Sequence, residues 1–160
     1  MTTNDKPSKN ALSEPYCKTD VSRSGNFKLT FDFDGTLTRP EVQDYFLELI
    51  ERGFDCWVLT SRYDDLHKHR YPKNPTNEDL WELIDKLNFP RYKVKFMNME
   101  SKGIYLSFTD VLWHLDDDDD DLLDIFEEAQ TRQIDGKTNR WKERCELYIS
   151  ANCKTGDLFQ

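Results

Sequence analysis

The chain has 160 residues, of which 37% are hydrophobic and 33% are charged, and its formal net charge is −9. This length fits one globular domain, and no apolar run approaches the roughly 20 residues needed to span a bilayer. Six consecutive aspartates, residues 116–121, account for most of the negative charge. The acidic excess argues against general nucleic-acid affinity but is compatible with a local basic site.

Residues 1–25 are polar and contain few large apolar groups. Such a composition cannot offset the entropy lost on ordering, so we predict a disordered arm followed by a single domain over residues 26–160. The arm lacks the charged-then-apolar layout of a secretory signal, and the four cysteines include no CxxC pair. These features predict a cytoplasmic protein with free thiols and no membrane partner.

The first half of the domain predicts two strands joined by a helix. Residues 27–33 form an apolar and β-branched run that is typical of a strand. A capping-box pattern at Thr38 and Glu41 predicts the start of a helix whose apolar residues recur at helical spacing up to Gly53. Residues 56–60 then predict a second, buried strand.

The second half continues this alternation. Asn77 is a candidate N-cap for a helix that reaches Leu87, and residues 92–97 and 111–115 predict two further strands. Residues 122–130 have helical spacing, and residues 145–149 predict a last strand. Strands alternating with helices indicate an α/β fold with a mostly parallel sheet, in which working sites lie beyond the carboxyl ends of the strands.

Three of the predicted strands are followed by polar side chains that can bind a metal or take part in catalysis. These segments are Asp32-Phe33-Asp34-Gly35-Thr36, Thr60-Ser61-Arg62 and Asp116-Asp117. A carboxylate at the end of a buried strand is costly unless it binds a cation or a hydrogen-bond donor. Converging carboxylates with few histidines or cysteines nearby favour a hard cation, and Mg²⁺ where a phosphate supplies further oxygens.

The same segments resemble the motifs of the haloacid dehalogenase (HAD) superfamily, in the family's order. Residues 32–36 match its DxDGT signature, which is the most specific of the four motifs. Thr60 resembles the second motif, Lys102 the third, and residues 116–117 the fourth; Lys93 and Lys95 compete for the role of Lys102. The resemblance implies a three-layer α/β/α sandwich with a Rossmann-like sheet. The short spacing between motifs leaves no room for a large cap domain.

The resemblance also implies a phosphohydrolase acting on phosphate monoesters. Asp32 would attack phosphorus and form an aspartyl-phosphate, while Asp34 would serve as general acid and then general base. Thr60 and Lys102 would bind the phosphoryl oxygens. The predicted substrate-binding residues beside them are Thr36, Ser61 and Arg62.

The implied cofactor is Mg²⁺. It would be held by the Asp32 carboxylate, the Asp34 backbone carbonyl and Asp117, with Asp116 as the second choice. Elsewhere in the aspartate run, the prediction for Asp118 and Asp119 is a solvated loop or the acidic first turn of a helix. His114, inside an apolar strand, is predicted to be a hydrogen-bonded core residue and not a ligand.

Residues 62–76 are locally basic and aromatic in an acidic protein. Such a loop can receive an anionic partner by charge and stacking, so the predicted substrate is a phosphorylated small molecule or a nucleic-acid end. An ordinary exposed polar loop has the same composition. The alternative function is a non-catalytic module of the same fold that binds a metal or a phosphorylated ligand without turnover.

Overall fold

A computed structural model describes residues 28–68, 76–118 and 131–157. The predicted disordered arm over residues 1–25 and the predicted helix over residues 122–130 lie outside these ranges. Within them, strands and helices alternate along the chain as the hydrophobic pattern predicted. None of the helices in these ranges is long and apolar enough to cross a membrane.

The described strands and helices are short. The strands are β1 (Lys28–Phe31), β2 (Asp55–Thr60), β3 (Val94–Phe96), β4 (Val111–Asp116) and β5 (Arg132–Asp135). The helices are α1 (Pro40–Glu51), α2 (Asp65–Lys68), α3 (Glu78–Lys86), α4 (Lys102–Ser107) and α5 (Trp141–Asp157). An irregular turn, Phe33–Leu37, follows β1, and a 3₁₀ turn, Arg91–Lys93, precedes β3.

All of these strands are parallel, in the spatial order β3-β2-β1-β4-β5. Helices flank the sheet, because each return to a parallel neighbour requires a crossover connection. β1 lies in the centre, where Phe31 pairs with Val58 of β2 and with Leu115 of β4. The residues that follow β1, β2 and β4 therefore meet at one edge of the sheet.

The core forms on the sheet surface. Phe31 lies against Phe46 of α1, with ring centroids 4.9 Å apart, and against Trp113 of β4, at 5.3 Å. Such edge-to-face pairs contribute about 0.5–1.5 kcal/mol beyond the burial of their area. A second apolar cluster joins Leu59 of β2 to Leu106 of α4. This packing fixes α1 and α4 against the strands that carry the predicted site.

Two local predictions are wrong. The N-cap of α1 is Arg39, without a side-chain hydrogen bond, because Thr38 still belongs to the turn that begins at Phe33. Residues 145–149 lie in α5 and not in a strand. Cys145 and Ile149 are four residues apart and both fully buried, which is the spacing of one helix face.

Two further elements differ from the sequence prediction in detail. Asn77 is the N-cap of α3, but its side chain donates to the Tyr63 carbonyl (2.9 Å) and to Asp65 (2.8 Å) and makes no cap hydrogen bond. β5 was not predicted, because Ile134 is its only fully buried residue. A four-residue edge strand with one apolar side chain leaves little periodic signal.

Candidate functional site

Asp32 follows directly after β1 and is 5% exposed. Its backbone N–H donates to the Leu115 carbonyl of β4 (2.9 Å), and its own carbonyl accepts the Leu37 N–H (3.1 Å). The chain therefore curls back immediately after the strand, with Gly35 at a φ of 77°. This turn holds the Asp32 carboxylate at the carboxyl edge of the sheet.

Gly35 is required at this turn for two reasons. Its positive φ disfavours any side chain, and a Cβ atom would lie 2.2 Å from an Asp117 carboxylate oxygen. We expect Gly35→Ala to lower the free energy of unfolding by about 1–3 kcal/mol, measured by urea denaturation. Gly136→Ala is the matched control, because its Cβ would have ordinary 3.5 Å contacts. Equal stability of the two variants would contradict the prediction.

Three carboxylates converge beside this turn. One oxygen from each of Asp32, Asp116 and Asp117 lies within 4.8 Å of the others. The Lys102 ammonium, 1% exposed, donates to Asp32 (2.6 Å) and to Asp116 (2.8 Å). With every group ionised, three carboxylates and one ammonium leave two uncompensated negative charges.

Lys102 is the first residue of α4, a position where the helix dipole disfavours a cation. Burial would lower the pKa of Lys102, but the charges of Asp32 and Asp116 raise it above its ordinary value. The competing lysines lie elsewhere: Lys93 pairs with Asp55 (2.8 Å), and Lys95 lies over the Tyr105 ring. Lys102 is thus the one of these three lysines that contacts the carboxylates.

The three carboxyl groups titrate differently. Burial raises the pKa of Asp32 to about 8, with the charge of Lys102 opposing the shift and that of Asp116 adding to it. Burial also raises the pKa of Asp117. Burial likewise disfavours the charged form of Asp116, yet the His114 hydrogen bond and the Lys102 charge hold its pKa well below the usual range. The oxygen donors and the excess negative charge fit a hard divalent cation.

Asp34 lies at the rim of the site with an exposed carboxylate held by Arg62. The guanidinium donates to both Asp34 oxygens (3.0 and 2.7 Å) and to both oxygens of Asp79 on α3 (2.8 and 3.0 Å). A further bond to the Thr76 carbonyl (3.3 Å) means that all of its N–H donors are engaged. Arg62 therefore orients Asp34, and it must release a carboxylate before it can bind a phosphate.

The remaining predicted residues lie at the same edge. Thr36 donates its hydroxyl to Asp32 (3.1 Å). Thr60, the fully buried last residue of β2, accepts the Arg62 N–H at its hydroxyl (3.3 Å). Ser61 is half-buried in the next position. The structure thus brings the predicted catalytic, substrate-binding and metal-binding residues together beyond the ends of β1, β2 and β4.

Sequence reasoning missed two participants, Asp79 and Thr30. Asp79 contacts Arg62, as described above, and Thr30 contacts His114 (2.7 Å), which in turn contacts Asp116 (2.9 Å). The sequence does contain a pattern that indicates the contact between Thr30 and His114, since each is a polar residue two positions before an aspartate in an apolar strand. No sequence pattern indicates a role for Asp79 in the site, because the first turn of a helix commonly carries acidic residues.

Comparison of the chain with protein-family models, with curated proteins and with solved structures gave no significant match. The fold and the chemistry of the site define an α/β protein with buried carboxylates and one buried lysine at the carboxyl edge of a parallel sheet.

Proposed function

We propose that this chain is a Mg²⁺-dependent phosphohydrolase of the HAD type that cleaves phosphate monoesters through an aspartyl-phosphate on Asp32. The observation that carries the proposal is the contact of one buried lysine with two strand-end carboxylates, Asp32 and Asp116. The proposal includes a three-layer α/β/α sandwich without a large cap domain. It also includes a cytoplasmic location.

Asp32 supplies the nucleophile. An Asp32 oxygen forms a bond to phosphorus as the bond from phosphorus to the ester oxygen breaks, and the leaving alkoxide takes a proton from Asp34. For this step Asp34 must first leave Arg62 and take up a proton from solvent. In the second step, Asp34 takes a proton from water, whose oxygen attacks the same phosphorus and releases phosphate and Asp32. Lys102 and Thr36, which already donate to the Asp32 carboxylate, orient it for attack.

Asp32 and Asp117 are the proposed Mg²⁺ ligands, together with the Asp34 carbonyl and with Asp116 as the alternative. When bound, Mg²⁺ supplies positive charge that reduces repulsion between the nucleophile and the phosphoryl group. The carboxylate cluster supports this assignment, because a divalent cation offsets the two negative charges that remain when the three carboxylates and Lys102 are all ionised. Mg²⁺ binding would also favour the ionised form of Asp32, whose pKa burial raises to about 8.

The proposed substrates are phosphorylated small molecules and phosphorylated nucleic-acid ends. The basic and aromatic composition of residues 62–76 supports this range, although residues 69–75 lie outside the described residues. Within the described part, Arg62 is tied to two carboxylates and His67 contacts Asp64 (2.8 Å). An arriving phosphate therefore has to compete with these carboxylates for the basic groups.

Phosphate release from a panel of substrates tests the proposal. Nucleotides, 3′- and 5′-phosphorylated oligonucleotides, sugar phosphates and phosphopeptides are incubated with Mg²⁺ or with EDTA, and the Asp32→Asn variant is the blank. We expect release above the blank from at least one class, and only with Mg²⁺ present. Saturable Mg²⁺ binding without any release would instead favour the non-catalytic module.

A further inference from the structure

We propose that His114 is a positioning residue that fixes the carboxylate of Asp116, the alternative Mg²⁺ ligand, in the orientation that completes the acidic cluster with Asp32 and Asp117. The inference rests on the proposed function, but it concerns a residue that is not among the proposed catalytic, substrate-binding or Mg²⁺-binding residues. His114 is fully buried in β4, and its Nε2 lies 2.9 Å from the Asp116 oxygen that also accepts from Lys102. Its other ring nitrogen, Nδ1, lies 2.7 Å from the Thr30 hydroxyl.

The sheet register creates this chain of contacts. Thr30 of β1 pairs directly with His114 of the adjacent parallel strand. Asp32 and Asp116 come two residues later on the two strands, and side chains two apart point to the same face. Each of the two strands thus places a buried polar side chain, Thr30 or His114, and then a carboxylate, Asp32 or Asp116, on the same face of the sheet. Lys102 then bridges the two carboxylates from α4.

The hydrogen bond to Asp116 determines which ring nitrogen of His114 carries a hydrogen. Asp116 is ionised and accepts only, so Nε2 must carry a hydrogen and donate it. The Thr30 hydroxyl lies 2.7 Å from Nδ1 and 3.4 Å from the Trp113 carbonyl, so β1 holds the ring from the side opposite Asp116. Asp116 therefore receives His114 and Lys102 at one oxygen and the Asp118 N–H (3.0 Å) at the other.

The composition of β4 argues against a purely space-filling role. The residues around His114 in this strand, Val111, Leu112, Trp113 and Leu115, are apolar and buried. An apolar side chain would fill the position without the cost of desolvating two ring nitrogens. The hydrogen bond to Asp116 offsets that cost and restricts the carboxylate to one orientation. Outer partners of metal-binding residues typically change metal affinity by about 10–100-fold.

Two amide substitutions separate positioning from packing. The amide nitrogen of His114→Gln can replace Nε2 and donate to Asp116, whereas that of His114→Asn lies near the position of Nδ1 and cannot reach Asp116. Both variants are polar and smaller than histidine, so each is a control for the general effect of replacing this buried ring. The measurements are Mg²⁺ affinity by titration calorimetry, urea denaturation in EDTA, and hydrolysis of 4-nitrophenyl phosphate.

We expect His114→Asn to weaken Mg²⁺ binding by about 10–100-fold and His114→Gln to restore most of it, at similar urea midpoints. Equal Mg²⁺ affinity of both variants and the parent would overturn the inference and leave the proposed function intact. A parent that neither binds Mg²⁺ nor releases phosphate would overturn the proposed function itself. If His114→Asn does not fold, Thr30→Val takes its place: weaker Mg²⁺ binding supports the inference, and unchanged binding overturns it.

Discussion

Replacing Asp32 by asparagine is expected to lower the rate of phosphate release by about 10⁴-fold or more, since loss of a covalent nucleophile removes the whole first step. The amide has nearly the same shape, its oxygen can still accept from Lys102, and its NH₂ group can donate to the Thr36 hydroxyl, which now bonds the second oxygen of Asp32. It carries no negative charge and is a far poorer nucleophile. The measurement is steady-state turnover on the best substrate of the panel, at saturating Mg²⁺.

Stability should respond to this substitution in the opposite direction. Burial raises the pKa of Asp32 to about 8, so the folded protein favours the neutral form of this side chain at neutral pH. A neutral amide is therefore expected to retain or raise the urea midpoint in EDTA. Asp44→Asn, on the exposed side of α1, is the control for loss of one aspartate charge and should change neither property. Turnover of Asp32→Asn at the parental rate would show that the nucleophile is assigned wrongly.

Replacing Lys102 by methionine is expected to destabilise the folded protein by about 3–5 kcal/mol at pH 8 in EDTA. The substitution keeps much of the side-chain volume but leaves Asp32 and Asp116 buried without their shared cation. The cost reflects two carboxylates that lose a hydrogen-bond donor and a counter-charge together. Urea denaturation of parent and variant at several pH values measures it.

The pH dependence of this loss follows from the carboxyl groups. Asp32 has a folded-state pKa raised above its unfolded value, so its stabilising contribution is present below the unfolded pKa and is lost as the pH rises toward about 8. Without the opposing charge of Lys102 this pKa rises further. Between pH 5 and pH 8 Asp32 is largely neutral in both proteins, so the difference between parent and Lys102→Met should be nearly constant there. It should grow as the pH rises above 8, where the parent can ionise Asp32 beside Lys102 and the variant cannot.

Lys93→Met is the matched control for this experiment. Lys93 also forms an ion pair with an aspartate, Asp55, but both side chains are partly exposed to solvent. Such pairs contribute at most about 1 kcal/mol, so Lys93→Met should be nearly as stable as the parent across the same pH range. If Lys102→Met matched Lys93→Met at pH 8, the bridging lysine would have no special role in the carboxylate cluster.

Each proposed role in the site depends on a contact that a different variant removes. Asp32→Asn removes the nucleophile, Lys102→Met removes the cation, and His114→Asn removes the donor to Asp116. Turnover, stability in EDTA and Mg²⁺ affinity are expected to change by different amounts in the three variants. Measured together on one preparation, they separate the chemistry of the site from its contribution to folding.

Local patterns in the sequence were enough to predict the alternation of strands and helices and to place the candidate site residues at the ends of strands. Both follow from local patterns: apolar runs of strand length, helical spacing, and polar side chains placed directly after buried strands. The DxDGT segment at residues 32–36 and the aspartate pair at residues 116–117 can be recognised without knowing any distant contact. Parallel strands then bring their carboxyl ends to one edge.

Only the tertiary structure decided which distant side chains contact one another. The contact of Lys102 with Asp32 and Asp116, and the pairing of Thr30 with His114, depend on strand register and helix placement between segments far apart in the chain. The helical state of residues 145–149 was likewise decided by packing, since a five-residue segment with four apolar residues suits either structure until Cys145 and Ile149 meet the core. Local periodicity indicates which side chains of a strand share a face, but it does not identify the residues of a distant strand that lie opposite them.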